Sequence, residues 1–259
     1  MSQKSVTFHS HGWRGLAADE EWAALFSDLD RWLKRNPGEM VVHYDSRDVR
    51  RIQTPKGVVY LKDIRALTDA GYHFRDIFSW CKWVFRRSRA RDAWEASQDL
   101  ARKGFLCPKP LLAVRRRRGL VPRDLFITQE LSLPNLWDAL PKGMTPTGLA
   151  ELLALEIHRL HKAGFAHGDC ILRNLCYDEH TRRIAYLDND RTWSPPPLVL
   201  QFQQQRNLAQ MAYSLLKRFG EATSLLFLEC YAKKAGWPDR HQIHAIQAGA
   251  IQRRNRKRH

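Results

Sequence analysis

The nine residues Ala166-His167-Gly168-Asp169-Cys170-Ile171-Leu172-Arg173-Asn174 constrain the fold of this chain more than any other stretch. A His stands two residues before an Asp, and an Asn follows that Asp by five. Ahead of them runs a helix-period segment with Leu149, Leu152, Leu153, Ile157 and Leu160 on one face. Thr145 is placed to cap it, Pro146 opens its first turn and Gly164 ends it. After them come two strand-like runs, Leu175–Tyr177 and Arg183–Leu187, around a turn at 178–181, which deliver Asp188 at a strand end. Helix, polar loop, hairpin and second carboxylate must therefore fold in that order. The Asp-to-Asn spacing alone is common by chance, so its weight depends on what the rest of the chain supplies.

A chain of 259 residues is long enough for one large domain or two lobes. The charge is one-sided: 43 Lys and Arg against 27 Asp and Glu, a net +16 with His neutral. Such an excess calls for an anionic partner, whether nucleic acid, an acidic leaflet or a phosphorylated substrate. Five cysteines, odd in number and without a C-x-x-C pair, read as reduced cytosolic thiols. Cys170, Cys176 and His167 lack a fourth ligand at zinc-site spacing, so no zinc is expected. The first fifteen residues hold no apolar signal region, and no run approaches the ~20 apolar residues that span a bilayer. The expected protein is soluble or peripherally bound.

Upstream, Leu16 to Lys34 has apolar residues at helical spacing (Trp22, Leu25, Phe26, Leu29, Trp32, Leu33) and predicts one helix, ended by Asn36-Pro37-Gly38. Strand-like runs follow at Met40–Tyr44, Val49–Gln53 and Val58–Lys62, an antiparallel meander that carries Lys62 near its end. Residues 74–85 predict an amphipathic helix whose Trp80, Trp83, Lys82 and Arg86 also suit a membrane interface. A further helix is expected over 90–103. Leu111–Val114 and Leu125–Thr128 then pair through Arg115-Arg116-Arg117-Arg118-Gly119, read as a solvated hairpin tip. Glu130 to Asn135 connects a β-rich half to a helical half. The chain ends on helices through Leu208, Met211, Leu215 and 225–231, then a basic tail, Arg253 to Arg258.

Four residues in this order meet the needs of phosphoryl transfer, which requires neutralised phosphate charge and a nucleophile held in line. Lys62 on a strand would pair with the α- and β-phosphates. Asp169 would orient and deprotonate the acceptor hydroxyl. Asn174 and Asp188 would ligate magnesium, Asp188 being preferred over Asp190 because it directly follows the apolar strand. Each is weak alone, since strand lysines are usually solvated and strand-end aspartates usually turn residues. The set is stronger because the intervening elements also fit.

The sequence resembles the Kdo/WaaP lipopolysaccharide kinases. The resemblance rests on Tyr60-Leu61-Lys62, on Arg86 to Trp94 with Leu100 and Gly104 to Pro110, and on Leu160 to Gly164 before the loop. Leu187-Asp188-Asn189-Asp190-Arg191 and Arg206-Asn207-Leu208-Ala209 with Tyr213-Ser214-Leu215 continue it, so that it covers roughly residues 40–231. It implies an α+β, two-lobed protein-kinase-like fold with a small antiparallel-sheet lobe and a larger, mostly helical one. The expected parts are a helical extension at 1–37, an ATP-binding lobe at 38–131, a catalytic lobe at 132–250 and a tail at 251–259. It also implies ATP-dependent phosphorylation of a sugar hydroxyl, Kdo or heptose, in the lipopolysaccharide inner core, with Mg2+, at the cytoplasmic face of the inner membrane. Adenine would bind backbone groups of Glu130, Leu131 and Ser132.

The chain departs from protein kinases in four places. No glycine-rich loop precedes Lys62, and the turn at 44–48 has no glycine. Glu95 or Asp92, one turn apart, could each face Lys62. The loop reads His-Gly-Asp, without the arginine that receives an activation-loop phosphate, and the stretch after Asp190 is short. Two rival readings remain: a kinase of another small hydroxylated molecule or a protein Tyr/Ser, and an inactive kinase-fold scaffold binding nucleic acid. The second is disfavoured because all four catalytic positions are filled.

Overall fold

A computed structural model describes residues 5–44, 46–65, 67–68, 71–72, 87–119, 121–237 and 241–256. The helix expected over 74–85 lies outside them. The chain divides into two compact units, Met1–Leu100 with Cys107–Leu131, and Ala101–Leu106 with Ser132–His259.

The first unit is built on a seven-stranded sheet of order β1-β2-β8-β9-β5-β4-β3, antiparallel at every pairing. Its strands are β1 (Val6–Ser10), β2 (Trp13–Ala17), β3 (Glu39–Tyr44), β4 (Arg47–Thr54), β5 (Gly57–Arg65), β8 (Pro110–Arg118) and β9 (Val121–Gln129). A separate two-residue pair, β6 (Leu67–Thr68) and β7 (Gly71–Tyr72), follows β5. The meander β3-β4-β5 matches the sequence expectation. Lys62 sits past the middle of β5, opposite Val49 and Phe126, so strand alternation puts it on the face of Tyr60 and Ile64.

The single helix expected from Leu16 to Lys34 does not form. A β-hairpin occupies its start, and two helices, α1 (Glu20–Leu25) and α2 (Leu29–Arg35), replace the rest. The hairpin turns on His11 and Gly12 with φ of 44° and 85°, the left-handed pair that matches strand twist. Gly15 then lets β2 approach β8, because a Cβ there would lie 2.0 Å from the Ala113 carbonyl oxygen. Two aspartates divide the helical segment. Asp19 accepts from the Trp22 N–H and Asp28 from the Arg31 N–H, each starting its own helix. Trp22, Phe26, Leu29 and Trp32 still point inward, beneath Trp13 and the strand residues Leu112, Val114 and Leu125. The apolar period was therefore read correctly and its continuity was not.

The arginine run is also not a solvated tip. Arg115 to Arg118 continue β8, and Arg115 forks onto Asp124 at 2.6 and 2.9 Å. Asp124, 1 % exposed, also accepts from the Arg89 N–H at 2.7 Å and so caps α3 (Arg89–Arg102). Arg123 forks onto buried Asp63 at 2.9 and 2.7 Å, and Arg116 reaches Asp30 at 2.6 Å while lying over the Trp13 ring. Only Arg117 and Arg118 are exposed.

The second unit is helical around a small hairpin. Its elements are α4 (Pro146–Lys162), β10 (Leu175–Asp178), β11 (Arg183–Tyr186), α5 (Pro197–Phe219), α6 (Glu221–Ala235) and α7 (His241–Arg256). Thr145 caps α4 by accepting from the Gly148 N–H at 3.1 Å. Leu149, Leu153, Ile157 and Leu160 of α4, Leu208, Met211 and Leu215 of α5, and Phe227 and Leu228 of α6 are all buried. Ala101–Leu106 joins this unit through a bridge from Leu106 to Ala185 and an edge-on contact of Phe105 with Tyr186.

Candidate active site

The loop from Ala166 to Asn174 is held at both ends by backbone pairing. Ala166 and Trp193 exchange N–H···O bonds of 3.0 and 3.2 Å, and the Leu187 N–H donates to the Asn174 carbonyl at 2.8 Å. Residues 172–174 form one 3-10 turn, which lets the Asn174 side chain fold back. Its amide donates to the Asp169 carbonyl at 2.9 Å and approaches Asp169 Oδ2 at 3.4 Å. Asp188, two residues past the end of β11, adopts the left-handed conformation, φ 54°, and turns the chain into a second 3-10 turn, Asn189–Arg191. The Leu187–Asn174 bond thus brings the backbones carrying the two expected metal ligands together.

His167 is 1 % exposed and locks the loop from inside. Its Nδ1 accepts from the Asp169 N–H at 3.2 Å, which leaves the proton on Nε2 to donate to the Leu187 carbonyl at 2.9 Å. Burial pulls its pKa down, so it sits as a neutral imidazole tying the Asp169 turn to Leu187, between β11 and Asp188. Gly168 has no room for a side chain. A Cβ would lie 1.9 Å from Arg191 Cβ and 2.6 Å from the Arg191 carbonyl oxygen. His-Gly-Asp is thus a packing requirement: the chain leaving Asp190 passes over position 168.

The face of α5 that packs beneath the loop carries polar residues that sequence reasoning did not assign. Asn207 Oδ1 accepts from the His167 N–H at 2.9 Å, and its amide donates to the His167 carbonyl at 2.5 Å. Gln210 Oε1 accepts from the Cys170 N–H at 3.2 Å, and Ser214 Oγ from the Leu172 N–H at 3.1 Å. Behind Asn207, His161 Nε2 lies 3.2 Å from Asn207 Oδ1 and His161 Nδ1 lies 2.8 Å from the Tyr231 hydroxyl. Asn207 Oδ1 is an acceptor, so Nε2 carries the proton and the tyrosine donates to Nδ1. Burial lowers the His161 pKa to about 4. Asn207, Gln210 and Ser214 recur at i, i+3 and i+7 on one helix face, and Asn207 and Ser214 also lie in segments that carry the family resemblance.

The donor set suits a magnesium ion. Magnesium takes one or two protein oxygens and fills its octahedron with phosphate and water. Asn174 spends its amide on Asp169, and its Oδ1 has no protein donor among the described residues. Asp188 would supply the carboxylate. No group of three or more His, Cys, Asp or Glu side chains placed to hold a metal occurs among the described residues, which accords with so sparse a set.

The remaining expected site residues, apart from Ser132, belong to the first unit. Lys62 is largely buried at 9 % exposure. Glu95 accepts from Arg87 at 2.6 and 2.7 Å and from Arg91 at 3.0 Å, and Asp92 lies 3.6 Å from Arg87. Glu130 is held by Arg51 at 2.7 and 3.3 Å while its N–H donates to the Val58 carbonyl. That carboxylate is therefore engaged within the sheet. Leu131 closes the first unit and Ser132 opens the second segment of the other.

Known proteins share this fold. The chain superposes on WaaP, solved in complex with acyl carrier protein, with a TM-score of 0.60 at 18% identity over 90% of this chain and 95% of that one. It superposes on the Rio2 kinase of Chaetomium thermophilum, an ADP/Mg2+-phosphoaspartate complex, with a TM-score of 0.51 at 14% identity, covering 98% and 82%. The fold is therefore protein-kinase-like. Two proteins of Vibrio vulnificus called 3-deoxy-D-manno-octulosonic acid kinase are similar in sequence. That of strain CMCP6 is 24% identical over 199 residues, 76% of this chain and 77% of that protein, and that of strain YJ016 is 25% identical over 167 residues, 64% and 68%. The profile of the lipopolysaccharide kinase (Kdo/WaaP) family matches residues 27–239, and the chain belongs to that family.

Proposed function

We propose that this protein is an ATP- and Mg2+-dependent kinase that phosphorylates a sugar hydroxyl of the lipopolysaccharide inner core. The observation that carries the proposal is the Asp169 loop: a carboxylate held only by neutral donors, beside an Asn174 Oδ1 and an Asp188 suited to magnesium. Asp169 accepts the proton of the attacking hydroxyl. Lys62 pairs with the nucleotide phosphates, and backbone groups at Glu130, Leu131 and Ser132 receive adenine. Bound Mg2+, held by Asn174 and Asp188, supplies charge neutralisation on the transferring phosphoryl group. The names of the Vibrio relatives favour Kdo over heptose as the acceptor.

The acceptor is an anionic glycolipid, and the +16 charge excess suits it and the surface that holds it. An open cavity of about 380 Å³ on the first unit is lined by Arg65, Arg116, Arg117, Arg118 and Arg123. No helix among the described residues is long and apolar enough to cross a membrane, so the contact proposed is peripheral, at the cytoplasmic face of the inner membrane. The test is transfer of labelled phosphate from ATP to Kdo–lipid A precursor, with heptosylated core and free hydroxylated metabolites as rivals. Asp169→Ala should lower turnover by at least about a thousandfold. Wild-type transfer to a free metabolite but not to any core glycolipid would refute the acceptor, and full activity of the variant would refute the catalytic assignment.

A further inference from the structure

The candidate base is not oriented by the loop alone. Gln210 Nε2 donates to Asp169 Oδ1 at 3.3 Å. The direction of this bond follows from its surroundings. Gln210 Oε1 accepts from the Cys170 backbone N–H at 3.2 Å and from the Asn207 amide at 3.4 Å, and a backbone N–H can only donate. The oxygen is therefore fixed on that side, and the NH2 must face Asp169. Asn207 is fixed in turn by the His167 N–H and carbonyl. The two carboxylate oxygens of Asp169 thus meet two different amides, Gln210 at Oδ1 and Asn174 at Oδ2.

The two amides differ in duty. Asn174 is an expected magnesium ligand. Gln210 comes from α5, one turn beyond the residue that clamps the loop backbone. We infer that Gln210 is a positioning residue: its amide sets the rotation of the Asp169 carboxylate so that Oδ2 is presented to the acceptor hydroxyl. This rests on the kinase reading above. Without the Gln210 donor, the carboxylate rotates about its Cβ–Cγ bond with only the longer Asn174 contact to restrain it. Phosphoryl transfer depends on the attacking oxygen being held in line, so the loss falls on turnover and not on binding.

Two substitutions separate positioning from support of the loop. Gln210→Glu keeps an oxygen for the Cys170 N–H and the Asn207 amide but replaces the donor to Asp169 with a second carboxylate that also repels it. Gln210→Met removes both. Positioning predicts that kcat for acceptor phosphorylation falls about tenfold or more in both variants, with KM for ATP unchanged. A purely structural Gln210 predicts that Gln210→Met loses kcat only in proportion to the protection its loop backbone loses, and that pattern would overturn the inference. A second measurement does not need turnover. The side-chain amide of Gln210 in a 1H–15N spectrum should move strongly on Asp169→Ala and little on Lys62→Ala. An unmoved Gln210 amide refutes the contact itself. If wild-type protein phosphorylates no acceptor, the kinase reading fails, and the amide shift still decides whether Gln210 holds Asp169.

Discussion

The two units stabilise their buried polar groups in opposite ways. In the first, buried or partly buried carboxylates meet arginines: buried Asp124 with Arg115 and Asp63 with Arg123, and partly buried Glu130 with Arg51. In the second, the catalytic loop is held by a neutral chain running from Tyr231 through His161 and Asn207 to His167 and Gln210. The difference follows from what each unit must present. The sheet needs rigid edges and can afford full neutralisation of its charges. On the proposed reading the loop must leave Asp169 able to accept a proton, and a guanidinium beside it would hold that carboxylate in an ion pair. Amides and a neutral imidazole fix the geometry without supplying a counter-charge.

This contrast can be broken at either end, with hydrogen exchange reading each unit separately. The largest expected effect is Asp124→Ala, which leaves Arg115 mostly buried without its carboxylate and uncaps α3; exchange across β8 and β9 should show a loss of about 4 kcal/mol. A loss below about 1 kcal/mol would mean that water already screens the pair. Asn207→Leu comes next, at about 3 kcal/mol, because the His167 N–H, the His167 carbonyl and His161 Nε2 all lose a buried partner. The loss should appear in α4 and α5 while β8 and β9 keep their protection; protection lost equally in both units would contradict the separation drawn above.

The third test is titration of the neutral chain. Burial puts the folded pKa of His161 near 4, below its ordinary 6.5, so on acidification the unfolded chain binds the proton first. The stabilisation is complete above about pH 6.5 and is lost as pH falls toward 4, by at most about 3 kcal/mol from this group. Denaturation of wild type and His161→Asn at pH 7.5 and 5 should show a smaller acid loss in the variant, and identical losses would exclude His161. Smallest is Thr145→Ala, which should cost about 1 kcal/mol in α4 through its lost cap and leave the first unit unaffected.

Much of this was legible in the residues. The meander carrying Lys62, the capped helix α4 and the hairpin before Asp188 follow from local period, caps and turns. The N-terminal hairpin was not, because its His11-Gly12 turn is short and the apolar period that follows it runs on through two helix starts. The arginine run misled because its partners, Asp124, Asp30 and the aromatic face of Trp13, come from other strands and helices. In the loop, spacing marked Asp169 and Asn174 but not what orients them. The reason for Gly168 is Arg191, which only the folded chain brings against it.

The order of the sheet has a consequence for synthesis. Leu16 of β2 pairs with Ala113 of β8, so the first hairpin made waits for a strand nearly a hundred residues later. Until β8 leaves the ribosome, the β2 edge of the hairpin stays open and Trp13, Trp22 and Phe26 have no core to enter. The first unit is therefore expected to fold late and in one step, near the completion of β9. Until then a chaperone that binds aromatic and apolar segments would find a target in the first thirty-five residues.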